Sequence, residues 1–101
     1  MLYAATCPDT VTIIMPDGPS YTAGDEMTCS SDGYPDPTYT WTVDGDPGST
    51  TSIQVIEEGE HVYECKVTVT INETECSNAT TVTETGYSKY QKQYILLLQL
   101  Y

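Results

Sequence analysis

With 101 residues the chain has room for one domain with a modest two-layer core, not for two cores. Fifteen acids against three lysines and no arginine give a net charge of −12, which repels phosphate backbones and sulfated glycans, so neither nucleic acid nor a heparin-like glycan is an expected partner. Phenylalanine is absent, threonine and valine are abundant, and turn residues are spread along the chain, a composition that favours β structure.

Residues 1–6 read as an N-terminal lead-in. They lack a charged start and their apolar run is too short for a signal peptide, so a secreted domain of this sequence would be a fragment or an incomplete gene model. Thr10–Met15 is the first strand, with Val11, Ile13 and Met15 on one face. Pro16-Asp17-Gly18-Pro19 stops it, since proline cannot donate to a sheet ladder, and Ser20–Thr22 resumes it as a short second piece. After Gly24-Asp25 comes the strand Glu26–Ser30, with Met27 and Cys29 inward. Asp32–Pro37 is a loop broken by glycine and two prolines. Tyr39, Trp41 and Val43 then alternate with Thr38, Thr40 and Thr42 in a third strand, which ends at Asp44-Gly45 and Pro47-Gly48. Thr51–Ile56 is a fourth strand with Ile53 and Val55 inward, and Glu57–His61 is an acidic turn around Gly59.

The stretch Val62–Ile71 alternates strictly. Tyr63, Cys65, Val67, Val69 and Ile71 share one face, and Glu64, Lys66, Thr68 and Thr70 the other, as in a strand with one buried and one wet face. Asn72–Glu75 is a hairpin and Cys76–Glu84 the last strand. Short strands at this spacing indicate an all-β sandwich or barrel, and no helical period precedes Gly86. Residues 1–86 hold one lysine and all 15 acids, net −14, whereas residues 87–101 hold two lysines and no acid, net +2. Gly86 is therefore the expected domain boundary. The basic and apolar tail, 87–101, has three open readings: the start of a truncated membrane span at Ile95–Leu98, a partner-docking helix with Tyr90, Tyr94, Leu97, Leu98 and Tyr101 on one face, or an artefactual extension.

Four cysteines in a small acidic domain indicate an oxidising compartment, and they allow three pairings. No two are close enough for a metal knuckle and there is a single histidine, which argues against zinc. Cys29 and Cys65 both fall on inward strand positions, the parity that a bridge between facing sheets requires. Trp41 lies inward between them and Tyr63 stands two residues before Cys65. The series Cys29…Trp41…Tyr63-x-Cys65 resembles the immunoglobulin superfamily over residues 7–86. The Cys29-to-Trp41 interval is 12 residues and the Cys29-to-Cys65 interval 36, too short for the extra strands of a variable-type domain. The family often has Asp-x-Gly or Asp-x-Ala before this tyrosine, where this chain has Glu60-His61-Val62.

The resemblance implies a two-sheet antiparallel immunoglobulin-like β-sandwich of about seven strands, compact and C2- or I-set-like, with Greek-key connections. It implies a Cys29–Cys65 bridge with Trp41 packed against it, and a Tyr63 whose hydroxyl bonds backbone. With that bridge taken, Cys7 and Cys76 fall at the same end of the sandwich and form the second pair. It further implies an extracellular or cell-surface ectodomain fragment, acting by contact with another protein, with attachment to a membrane only through a segment outside this chain. A structural spacer with no ligand of its own is the alternative.

Among individual residues, Asn72-Glu73-Thr74 and Asn78-Ala79-Thr80 are N-glycosylation sequons. Asn72 falls in a hairpin; Asn78 has the inward parity of Val82. Tyr34, in the loop after the second-strand cysteine, is the candidate partner contact, because loops carry recognition and tyrosine supplies rigid contact area. The acids at the turns show no EF-hand spacing and read as solvated loop residues, with no metal. His61 reads as a turn residue. No nucleophile arrangement, acid–base pair or cofactor box is present, so neither catalysis nor a cofactor is expected.

Overall fold

A computed structural model of the chain describes residues 4–18 and 20–90. The expected tail features at Tyr94, Ile95–Leu98 and Tyr101 lie outside the described residues. Among the described residues eight strands form: β1 (Val11–Ile14), β2 (Tyr21–Thr22), β3 (Glu26–Ser31), β4 (Thr38–Val43), β5 (Asp46–Pro47), β6 (Ile53–Val55), β7 (Gly59–Ile71) and β8 (Thr74–Tyr87). They build a three-stranded sheet, β1-β3-β6, and a five-stranded sheet, β2-β8-β7-β4-β5. The two sheets share one core, an all-β arrangement compatible with a β-sandwich.

The core follows from alternation. Met27 and Cys29 from β3, Trp41 and Val43 from β4, and Tyr63, Cys65, Val67 and Val69 from β7 are buried, while their neighbours along each strand face out. Trp41 and Cys65 are cross-strand partners, as are Val43 and Tyr63, so the largest buried rings lie on the face that carries the bridge.

The longest element is the β7–β8 hairpin, paired without interruption from Gly59↔Gly86 to Ile71↔Thr74. Its turn is two residues, Asn72 and Glu73, both in the left-handed region at φ 51° and 66°. Positive φ at both central residues is the type I′ pattern, whose twist matches that of the flanking strands. The hairpin outruns β4, whose pairing with β7 stops at Thr38↔Thr68, so its tip overhangs the sheet. Asp44-Gly45 makes a second such turn, at φ 53° and 86°, and adds β5, which was not expected from the sequence. Both edge strands of this sheet, β2 and β5, are two residues long, and Pro47 sits on one of them, which blunts the edges against further pairing.

Four expectations need correction. The sheets are not purely antiparallel: β2 pairs parallel to β8, Tyr21↔Gly86 and Thr22↔Tyr87. The chain leaves β1 without a hairpin reversal and crosses to the other sheet, so β2 meets β8 running the same way. Ile53 and Val55 do not point inward. They are 40% and 45% exposed, and Gln54 between them is buried at 5%. The register sets this, because cross-strand partners share a face and Gln54 pairs with inward-facing Met27. The last strand runs past Glu84 to Tyr87, held by Gly59 on one side and β2 on the other. Residues 59–61 belong to β7 rather than to the preceding turn, since their pairing with β8 continues that of the strand.

Candidate functional site

Side chains and a disulfide tie together the end of the molecule that carries the β3–β4 loop, the hairpin tip and the N-terminal segment. Cys7 is bridged to Cys76 on β8, with Cα atoms 5.6 Å apart. Thr6 and Tyr34 exchange backbone hydrogen bonds, Thr6 N–H to Tyr34 O at 2.8 Å and Tyr34 N–H to Thr6 O at 3.1 Å. The end of the lead-in is thus paired. Asp32 Oδ1 accepts from the N–H groups of Asp9 (2.8 Å) and Thr10 (3.1 Å), and Asn78 Nδ2 donates to Asp9 O at 2.9 Å. The N–H groups of Thr10 and Asp9 favour the carboxylate and hold the Asp32 pKa below its ordinary value. Residues 6–10 therefore form a strap across the loop and β8. Tyr34, whose backbone pairs with that of Thr6, is 45% exposed and joined to Pro35 by a cis peptide.

The core set lies deeper. Cys29 and Cys65 are bridged with Cα atoms 6.4 Å apart, and both are buried. Trp41 Nε1 donates to Thr51 O at 3.0 Å. The Tyr63 hydroxyl accepts from Glu57 N–H at 2.8 Å, which ties the β6–β7 corner to the core; burial pushes the Tyr63 pKa up. Two disulfides and no free cysteine among the described residues fit an oxidising environment.

His61 is not a bare turn residue. Its Nδ1 lies 2.6 Å from Asp44 Oδ2 and its Nε2 lies 2.7 Å from Glu58 O. Both neighbours are acceptors, so the arrangement is fully satisfied only when both ring nitrogens carry protons. The Asp44 hydrogen bond, then the Glu58 carbonyl, raise the His61 pKa above 6.5. The His61 hydrogen bond and the Val62 N–H lower that of Asp44 from 3.8. A raised histidine pKa stabilises the fold fully below the unfolded value and ceases to do so as pH rises through the folded one. A depressed carboxyl pKa does so above its unfolded value, and the effect is lost as pH falls through the folded one. The clamp thus works from mildly acid to near-neutral pH. The thermal stability of His61→Gln should trail that of the native chain most between the ordinary carboxyl value of 3.8 and the ordinary imidazole value of 6.5, and converge with it as pH rises past the raised His61 pKa. A gap independent of pH would refute the imidazolium clamp.

Sequence reasoning missed Gln54, Asp32 and Asp44. Gln54 Oε1 accepts from Ser49 N–H at 2.8 Å and its Nε2 donates to Val55 O at 3.0 Å, so a buried amide closes the crossing from β5 to β6. No local pattern marks it. Asp44-Gly45, by contrast, is a strong hairpin signal in its own right. Asn72 sits exposed at the hairpin tip, whereas Asn78 stands on β8 opposite Val67 with its amide engaged.

Comparison with protein families, with characterised proteins and with solved structures gives no significant match to this chain.

Proposed function

We propose that this chain is an extracellular immunoglobulin-like domain, compact and C2- or I-set-like, that serves as a non-catalytic binding module through protein–protein contact. The observation that carries the reading is the Cys29–Cys65 bridge in the common core, with Trp41 paired to Cys65 and Tyr63 tying the corner beside it. Its strand order, with an extra strand parallel to β8 at the edge, supports an I-set-like arrangement.

The contact surface is the end that carries Tyr34. An aromatic ring on a loop whose backbone is already tied to a strap loses little freedom on binding. Its partner is a protein that tolerates an acidic neighbour, not a nucleic acid or a sulfated glycan. A spacer role is the alternative, favoured by the net charge of −12 and the polar outer positions of β4 and β7.

The test is a binding survey of the purified, oxidised chain, presented as a multimer, against an array of cell-surface ectodomains, with Tyr34→Ala alongside. A binding module gives at least one saturable interaction, weakened about tenfold or more by the substitution, since aromatic anchors carry about 2 kcal/mol or more, at an unchanged melting temperature. Saturable binding that Tyr34→Ala leaves intact moves the contact elsewhere. No binding at all favours the spacer.

A further inference from the structure

We propose that Asn72 is an N-glycosylation site and that Asn78, although it heads an equally good sequon, is a structural tie that is unmodified in the folded protein. The inference rests on the extracellular reading above, because the glycosyl donor is met only in a secretory compartment. It is carried by the different surroundings of two identical motifs.

Asn72 is the first residue of the type I′ turn, exposed at the tip of a hairpin that overhangs the sheet. Its acceptor partner Thr74 is exposed as well. No hydrogen bond ties the Asn72 side chain to the described residues. Glycosyl transfer joins Nδ2 to C1 of a lipid-diphosphate-linked oligosaccharide. The C1–oxygen bond to the diphosphate breaks, the lipid diphosphate leaves, and Nδ2 gives up one of its two protons. At Asn72 this change removes no contact, and the sugar extends into solvent.

Asn78 is exposed as well, not turned inward as its parity with Val82 predicts, but its amide is engaged. Its Nδ2 donates to Asp9 O at 2.9 Å, and its Oδ1 accepts from Ala79 N–H at 2.9 Å. Thr80 is half-buried and pairs with Cys65. Cys76, two residues earlier, is bridged to Cys7, two residues before Asp9. The Asn78 amide and the Cys76 sulfur therefore hold the same strap. A sugar on Nδ2 would replace one hydrogen of the nitrogen that faces Asp9 and put its bulk where residues 7–9 cross β8. Transfer acts on the entering chain before it folds, so the fold selects afterwards: a chain glycosylated at Asn78 is impeded from closing Cys7–Cys76, whereas one glycosylated at Asn72 is not.

The experiment expresses the full chain behind a cleavable leader in a secretory eukaryotic cell. Intact mass is read before and after peptide N-glycosidase, with cysteine alkylation to score the disulfides. The expected product is secreted, carries two disulfides and bears one glycan. That glycan is lost in Asn72→Gln and also in Thr74→Ala, which removes the sequon without touching the left-handed turn residue, and it is kept in Asn78→Gln. Asn78→Ala should also speed reduction of Cys7–Cys76 several-fold. A secreted, fully oxidised chain with no glycan, with two, or with one that vanishes in Asn78→Gln overturns the assignment while leaving the extracellular reading in place. An unchanged reduction rate in Asn78→Ala overturns the tie. Retention in the cell with unpaired thiols overturns the extracellular reading and the site with it.

Discussion

Replacing Cys29 and Cys65 together by alanine is expected to lower stability by about 4 kcal/mol through the unfolded chain alone, given the 36-residue separation the bridge closes. The packing loss adds to this, since both sulfurs are buried against the core that holds Trp41 and Tyr63. A domain of 101 residues has about 5–15 kcal/mol in total, so the loss removes a large part of it and the melting temperature should fall by about 15 °C or more.

The Cys7–Cys76 bridge offers an internal contrast. Its separation of 69 residues gives a slightly larger chain-entropy figure, about 4.4 kcal/mol. Its loss should cost less than that, because Cys7 is exposed and residues 4–10 can fray in the folded state and recover part of the entropy. A graded titration with a small dithiol should accordingly label Cys7 and Cys76 first, with Cys29 and Cys65 following only on unfolding. Urea melts of the two double variants, with a mass map of alkylated cysteines at each reductant step, check both statements. Simultaneous labelling of all four, or equal losses in the two variants, would contradict the division into a core bridge and a strap bridge.

The second large effect is expected at Gly86. It is buried where three segments converge, paired with Gly59 of β7 and Tyr21 of β2 and bridged to Glu58. A methyl group there would fall on the Glu57 carbonyl oxygen and stand 2.7 Å from Ile56 Cγ2. Glu57 is backbone, and its N–H is held by the Tyr63 hydroxyl, so it has little freedom to move aside. Gly86→Ala should therefore cost about 3 kcal/mol, at the upper end for overpacking. Gly45→Asn is the control. Gly45 also has a positive φ, 86°, but open space where a Cβ would stand, and asparagine tolerates the left-handed region, so the loss there should be about 1 kcal/mol or less. Equal melting temperatures for the two variants would mean that the convergence at Gly86 is looser than its geometry indicates.

These effects divide between what was legible in the chain and what was not. The inward positions of β3, β4 and β7 could be read directly, because a strand of six or more residues carries enough alternation to fix which side chains share a face. The cysteine and tryptophan positions added the phase, since a buried ring and a bridging sulfur have to face the core. The Asp44-Gly45 turn was legible too, yet β5 escaped notice because Pro47 argues against a strand anywhere but at a sheet edge.

In β6 the same reasoning fails for a physical reason. Three residues with two apolar ends look like an inward-facing pair, but a stretch so short carries no phase of its own. Its phase is imposed by pairing with β3, which turns Gln54 inward beside Met27 and leaves Ile53 and Val55 on the outer face. The burial of a polar amide becomes tolerable only because Ser49 N–H and Val55 O are brought to it by the crossing chain.

The sequence by itself determined the all-β class, the faces of the long strands, most of the turn positions and the set of four cysteines. These depend on local periodicity, on the conformational limits of Gly, Pro, Asn and Asp, and on side-chain chemistry, all carried within a few residues. Only the tertiary structure decided that β2 crosses sheets to run parallel with β8, that Gln54 replaces its apolar neighbours in the interior, that His61 finds Asp44, and that residues 6–10 strap the Tyr34 loop to β8. Each joins segments far apart in the chain, where register and connection path set the distance, and a pattern read residue by residue holds no record of either.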